Sequence, residues 1–215
     1  MTFLELCQRV REESGVSGSG PATIDNQQSI LQKVVNWVRQ ADYDIQVLHK
    51  DSWKFLWRTE TISLIEDQRV YGALDLGLPN LGAIKSMAIA GQPITEVSWD
   101  VYKLHGYQQA PDRNQPTIYT VRPDGILEFF AVPDANYVVD VEYQLRPVKL
   151  QDDLDEPLIP EQYHQAILQK ALMYYANHEE DNDLFQKAQN WYEQALSELA
   201  SDQLPVMRLN RGNLF

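Results

Sequence analysis

Four histidines, His49, His105, His164 and His178, are the side chains best suited to ligate a metal or relay a proton. His164 and His178 fall on one helix by period, but fourteen residues at ~1.5 Å each set them about 21 Å apart. They cannot share a metal. A zinc protease needs two histidines one turn apart with a glutamate between them, and the chain has no such pattern. Asp152, Asp153, Asp155 and Glu156 offer oxygen ligands for calcium. An EF-hand loop, however, needs a central glycine and a bidentate acid at its end, and prolines stand here instead. These acids are expected to serve a helix entry. Gly15, Gly18 and Gly20 lack the spacing, the preceding strand and the Lys-Ser/Thr pair of a phosphate-binding loop. The G-x-S-x-G of a serine hydrolase is also missing. Carboxylates are abundant, but nothing marks two of them as a glycosidase pair. The expectation is a chain with no catalytic residue, no cofactor and no metal, and hence no enzyme.

The elements that would have to position any site read as α+β. Thr2 and Glu5 form a capping box for a first short helix, closed by Ser14-Gly15. Residues 15–25, GVSGSGPATID, read as a loop. A second helix is expected over 26–50, with Ile30, Leu31, Val34, Trp37, Val38, Ala41, Ile45 and Leu48 on its apolar face. The period changes near Trp57. Short β-branched or aromatic runs follow at 59–65, 70–74, 83–90, 117–122, 126–130 and 137–145. Asp124-Gly125 is the strongest hairpin signal. Helical period returns after Pro160, with a broad apolar surface that implies contact from two sides. The acidic run 179–183 then breaks it and supplies an N-cap for a fourth helix carrying Leu184, Phe185, Ala188, Trp191, Tyr192, Ala195, Leu196 and Leu199. The expected fold is an antiparallel bundle of four main helices with an inserted antiparallel β domain and an extended C-terminal tail. Its divisions are 1–56, 57–150, 151–203 and 204–215.

Bulk properties narrow the partners. The 215 residues, 44% of them hydrophobic, can bury a real core. Eighteen Lys and Arg against 31 Asp and Glu give a net charge of -13, which opposes nucleic-acid binding. No run approaches the ~20 apolar residues of a membrane span, and the first residues lack the pattern of a secretory signal. The single cysteine, Cys7, fits synthesis in a reducing compartment.

Two segments stand out as interaction candidates. In DSWKFLW, the residues Trp53, Phe55 and Trp57 alternate; they either cap the bundle or contact a neighbouring subunit. Residues 204–215, LPVMRLNRGNLF, carry Arg208 and Arg211 and no acid. Leu204, Val206, Met207, Leu209, Leu214 and Phe215 make this tail too apolar for a solvated terminus, so it either packs back on its own domain or inserts into a partner.

Several of these segments, in order, match a known family. GVSGSGPATI (15–24), VVNWVRQADYDIQ (34–46), DSWKFLW (51–57) and VEYQLRPVKLQDDLDEPLIPEQYHQAILQKALMYYA (141–176) resemble phage head-to-tail adaptors, also called connector or head-completion proteins. The last stretch is the most specific, through its acid-Pro-Leu-Ile-Pro-x-x-Tyr-His order. The resemblance implies a structural virion protein that forms a ring of twelve copies between portal protein and tail. The helical bundle would form the ring wall, the β insertion would face the next tail or nozzle protein, and the tail would dock on the portal. DNA would pass through the channel without specific binding. Twelve copies would carry on the order of -150 charges, which would keep packaged DNA from adhering to the wall. Two other readings stay open: a tail-side ring component of the tail-terminator type, and a ligand-binding module in which Trp99, Tyr102 and Tyr107 form a stacking platform.

Overall fold

The chain enters its first helix through the capping box that Thr2 and Glu5 announce. The Glu5 amide donates to Thr2 Oγ1 at 3.3 Å, and the Thr2 amide to Glu5 Oε2 at 2.8 Å. Thr2→Ala is expected to lower stability by about 1 kcal/mol in urea denaturation, with Thr2→Ser recovering most of it. The computed structural model describes residues 1–50, 52–107 and 112–205. Its α-helices are α1 (Phe3–Glu13), α2 (Ser29–Leu48), α3 (Trp99–Leu104), α4 (His164–Glu179) and α5 (Asn182–Gln203). Its strands are β1 (Trp57–Leu64), β2 (Val70–Tyr71), β3 (Leu81–Ile89), β4 (Gln92–Pro93), β5 (Thr95–Glu96), β6 (Ile118–Val121), β7 (Leu127–Phe130) and β8 (Tyr137–Leu145).

The chain divides into two compact units: Met1–Leu56 with the chain from Pro147 onward, and Trp57–Arg146. In the first, α4 packs against α1, α2 and α5, and accordingly buries residues over most of its circumference, among them Ala166, Ile167, Leu168 and Gln169 in one run. Phe3, Leu6, Cys7 and Val10 of α1 meet the buried face of α2, which carries Val34, Val35, Val38, Ala41 and Ile45. Asp181 caps α5, accepting from the Leu184 amide at 2.9 Å. That helix is covered on one side: Ala188 and Leu199 are buried, while Trp191, expected in the core, is 51% exposed.

In the second unit, one sheet runs β1-β8-β3-β4 and the other β2-β7-β6-β5. Alternation along the strands turns Ile62, Leu64, Met87, Ile89, Val139 and Val141 of the first sheet toward Tyr71, Tyr119, Leu127 and Phe129 of the second. Each such fully buried apolar side chain contributes roughly 1.5–3 kcal/mol. The β6–β7 hairpin turns at Asp124-Gly125, where Gly125 adopts a φ of 82° that favours glycine. Gly82 serves another need: a Cβ there would lie 2.8 Å from the Gln144 carbonyl oxygen, at the bulge where β3 crosses β8.

This corrects the expected fold class. The protein is mixed α+β, with five α-helices and two four-stranded sheets among the described residues, not a four-helix bundle carrying one antiparallel β domain. The second sheet is not purely antiparallel, since β5 pairs with β6 in parallel. The reasons are physical. α3 spans six residues and β2, β4 and β5 two each, too short for a period of 3.6 or 2 to emerge. The extended tail lies outside the described residues beyond Pro205.

Candidate functional site

The segment expected to dock begins where α5 ends. Leu204 closes the helix by donating to the Ala200 carbonyl at 3.0 Å and is half-buried; Pro205 is exposed. Val206, Met207, Arg208, Leu209, Arg211, Leu214 and Phe215 lie outside the described residues. The exit point itself is held from two directions. Lys54 Nζ donates to the Asp202 carbonyl at 2.8 Å, and the Tyr163 hydroxyl to Asp202 Oδ2 at 3.1 Å. Hydrogen bonds from Gln203 and Tyr163 hold the Asp202 carboxyl below its usual range. Beside it lies an open hollow of about 620 Å³ lined by Gln162, Tyr163, Ser197, Glu198, Ser201 and Asp202. The tail therefore leaves from a fixed polar corner.

The aromatic segment separates into inside and outside. Trp53 is fully buried and Phe55 nearly so, with stacked rings 5.3 Å apart. Trp53 Nε1 donates to the Ile45 carbonyl at 2.9 Å, one of the carbonyls that the last turn of α2 leaves without an intrahelical partner. Trp53 thus caps its own helix, and Phe55 stacks on it. Trp57, 40% exposed, is the one of the three that faces solvent.

Trp99, Tyr102 and Tyr107 do come together, but not as a platform. Tyr102 is fully buried, donates to the Phe129 carbonyl at 3.2 Å, and packs against both Trp99 and Tyr107. α3 lays this cluster over the far side of β6 and β7, where Glu128 is fully buried between Arg69 and Arg122. Arg122 also lies over the Trp99 ring, 5.4 Å from its centre. Burial, aided by the Glu128 charge, pushes the Tyr102 hydroxyl up to about 12. The group is an internal ion cluster under a short helix.

The histidines are dispersed. His164 is buried with Nε2 2.9 Å from the Ile159 carbonyl, and burial lowers its pKa. His178 meets Lys33 and the Trp37 ring, His49 the Trp53 ring, and His105 caps α3. Among the described residues, no three His, Cys, Asp or Glu side chains group to hold a metal ion. Cys7 is buried, and burial pushes its thiol up to about 12. The acids at 152–156 organise backbone. Asp153 Oδ1 accepts from the Ile24 amide at 2.6 Å and the Thr23 hydroxyl at 3.1 Å, and the Asp155 carbonyl from the Phe3 amide at 2.8 Å. Asp153 and Asp155 thus serve the start of α1 and the 15–25 loop. Among the described residues no helix is long and apolar enough to cross a membrane.

Sequence reasoning missed Asp42. It is fully buried on α2, its Oδ2 accepting from Gln46 Nε2 at 2.8 Å while Oδ1 has no hydrogen-bond partner. Gln46 in turn grips the returning chain, exchanging two 3.0 Å hydrogen bonds with the backbone of Val148. A cavity of about 180 Å³ adjoins Asp42, Gln46, Val148 and Leu150. The signal was present: Asp42 occupies the i+4 position from Val38 and the i-3 position from Ile45, on the apolar stripe itself.

The geometry supplies surfaces and internal clamps, as an assembly protein requires. Comparison with known proteins agrees. The model of the SU10 adaptor protein family matches residues 1–212. No match is found among curated proteins. Such adaptors are structural components of the virion that associate with phage head and tail parts. The chain belongs to the SU10 adaptor protein family, a family of phage head-to-tail adaptors.

Proposed function

We propose that the chain is the ring subunit between portal and tail: twelve copies beneath the portal continue the DNA channel, residues 204–215 insert into the portal, and the unit Trp57–Arg146 faces the tail or nozzle protein. It carries no catalytic function. The observation that carries this reading is the C-terminal segment, basic and apolar at the end of an acidic chain and leaving α5 from a corner held by Lys54 and Tyr163. A segment with that composition needs an apolar or acidic surface, and a helix end fixed in place gives it a defined point of departure. The excess of carboxylates supports free passage of DNA, because like charge prevents adhesion of the phosphate backbone.

The test is co-sedimentation with the cognate portal ring, comparing the full chain with one ending at Gln203. The full chain is expected to bind in ring stoichiometry. The truncated chain is expected to bind about tenfold or more weakly, while its thermal midpoint stays unchanged. Equal binding by both removes the tail from the docking surface, and binding by neither removes the portal-facing position.

A further inference from the structure

The cavity of about 180 Å³ beside Asp42 has no part in the adaptor reading, yet its walls are those of a binding site. They all belong to the first compact unit. Burial orders them from inside to outside. Asp42, Gln46 and Leu150 are buried, Val148, Asp155 and Leu158 are half-buried, and Lys149 and Glu156 are exposed. The cavity therefore opens past Lys149 and Glu156 and ends on Asp42. One atom at that inner end lacks a partner. Asp42 Oδ2 accepts from Gln46 Nε2 at 2.8 Å, whereas Oδ1 is buried with no hydrogen-bond partner. Gln46 cannot serve it, because its two amide N–H groups are committed to Asp42 and to the Val148 carbonyl. A buried carboxylate oxygen without a donor is costly, and a positively charged donor relieves that cost best.

The walls select which donor. A divalent metal ion needs several converging oxygens, and among the described residues no three His, Cys, Asp or Glu side chains group to hold one. Asp155 Oδ2 already accepts from the amides of Gln151 and Asp152. A guanidinium fork is matched to both oxygens of one carboxylate, and Asp42 has only Oδ1 to offer. An ammonium is a compact charge that one oxygen can receive. Val148, Leu150 and Leu158 give methylenes behind it an apolar wall, while Asp155 and Glu156 place negative charge toward the mouth. The Lys149 ammonium lies over the Tyr43 ring, 5.0 Å from its centre. We infer that this cavity binds a primary alkylammonium, its N–H donating to Asp42 Oδ1 and its stem lying along Val148, Leu150 and Leu158. A free alkylamine and the lysine side chain of a neighbouring protein both carry that group.

The probe is n-butylammonium added to the full chain, which makes the test independent of the adaptor reading. Tetramethylammonium, a charge without N–H, and n-butanol, a stem without charge, are the controls. At pH 8 the probe is expected to raise the thermal midpoint saturably by about 3 °C. It should also weaken the proton affinity of the Asp42 carboxyl about tenfold, followed by carbon NMR of the signal that Asp42→Asn removes. Its affinity should fall about tenfold or more from pH 8 to pH 5, where the carboxylate takes up its proton. Asp42→Asn should not respond, nor should the native chain to either control. No saturable response, or an equal one in Asp42→Asn or with a control, means that the cavity holds water only and overturns the site. A response seen only in Lys149→Met shows that the chain's own lysine fills the cavity, and overturns an external ligand. Given the response in the native chain, portal binding identifies the source. A tenfold loss in Asp42→Asn assigns the ammonium to a lysine of a neighbouring protein, and unchanged binding assigns it to a free amine; both uphold the site.

Discussion

Replacing Trp53 by alanine is expected to destabilise the free chain by about 3–5 kcal/mol, the range for deleting a fully buried tryptophan. Three contacts disappear together: the indole N–H to the Ile45 carbonyl, the stack on Phe55, and the His49 ring 5.2 Å away on the indole edge. Losing the hydrogen bond also leaves the end of α2 uncapped. Urea denaturation of the uncomplexed chain is the measurement, because a purely inter-subunit role would leave that stability untouched. Trp53→Phe should recover packing but not the Ile45 bond, and fall between. Trp57→Ala, at an exposed position, should change stability by no more than about 0.5 kcal/mol. The pair of variants thus separates an internal cap from an external contact within one short segment.

Asp42→Asn is expected to stabilise the protein at pH 8 by roughly 4 kcal/mol relative to its effect at pH 4. Burial raises the Asp42 carboxyl from its ordinary 3.8 to about 7, with the Gln46 hydrogen bond opposing. The direction follows from linkage. The folded state holds the proton more tightly than the unfolded state, so the contribution is full below about pH 4 and falls as pH rises. By about pH 7 it is lost, and above that it stays lost. Asparagine cannot ionise. It keeps an acceptor for Gln46 Nε2 and adds a donor where Oδ1 now has no partner. Its advantage should therefore grow between pH 4 and 7 and then level off, as read from denaturation midpoints across that range. A constant difference between the two proteins at every pH would show that Asp42 does not titrate in that window.

Local chemistry was the legible part of this fold. The Thr2–Glu5 capping box, the Asp124-Gly125 turn and the Asp181 cap each involve residues within a few positions of one another, and each stands where the sequence placed it. What depends on long-range packing was not legible. The period of α2 suggested Trp37 and Leu48 for the buried face. The helix instead turns Val35, Asp42 and Gln46 inward and leaves Leu48 51% exposed, because the chain returning through Val148 packs there. Glu128 lies between two buried apolar neighbours, where alternation alone points it to water. Its burial depends on α3, a helix too short to announce itself. In the aromatic alternation Trp57 is exposed while Trp53 and Phe55 are buried, a split that spacing alone does not reveal.

The fixed corner at Asp202 bears on how the end of α5 withstands force. α5 lies along α4, and its last turn is tied by Lys54 and Tyr163. Tension applied at the end of α5 along its axis would load the α4–α5 contact in shear, with the covered face along about 33 Å of helix resisting at once. The same tension applied sideways would peel the helix away turn by turn, each contact failing alone. Lys54 and Tyr163 hold the end of α5 that would peel first, so the geometry favours the stronger mode of resistance.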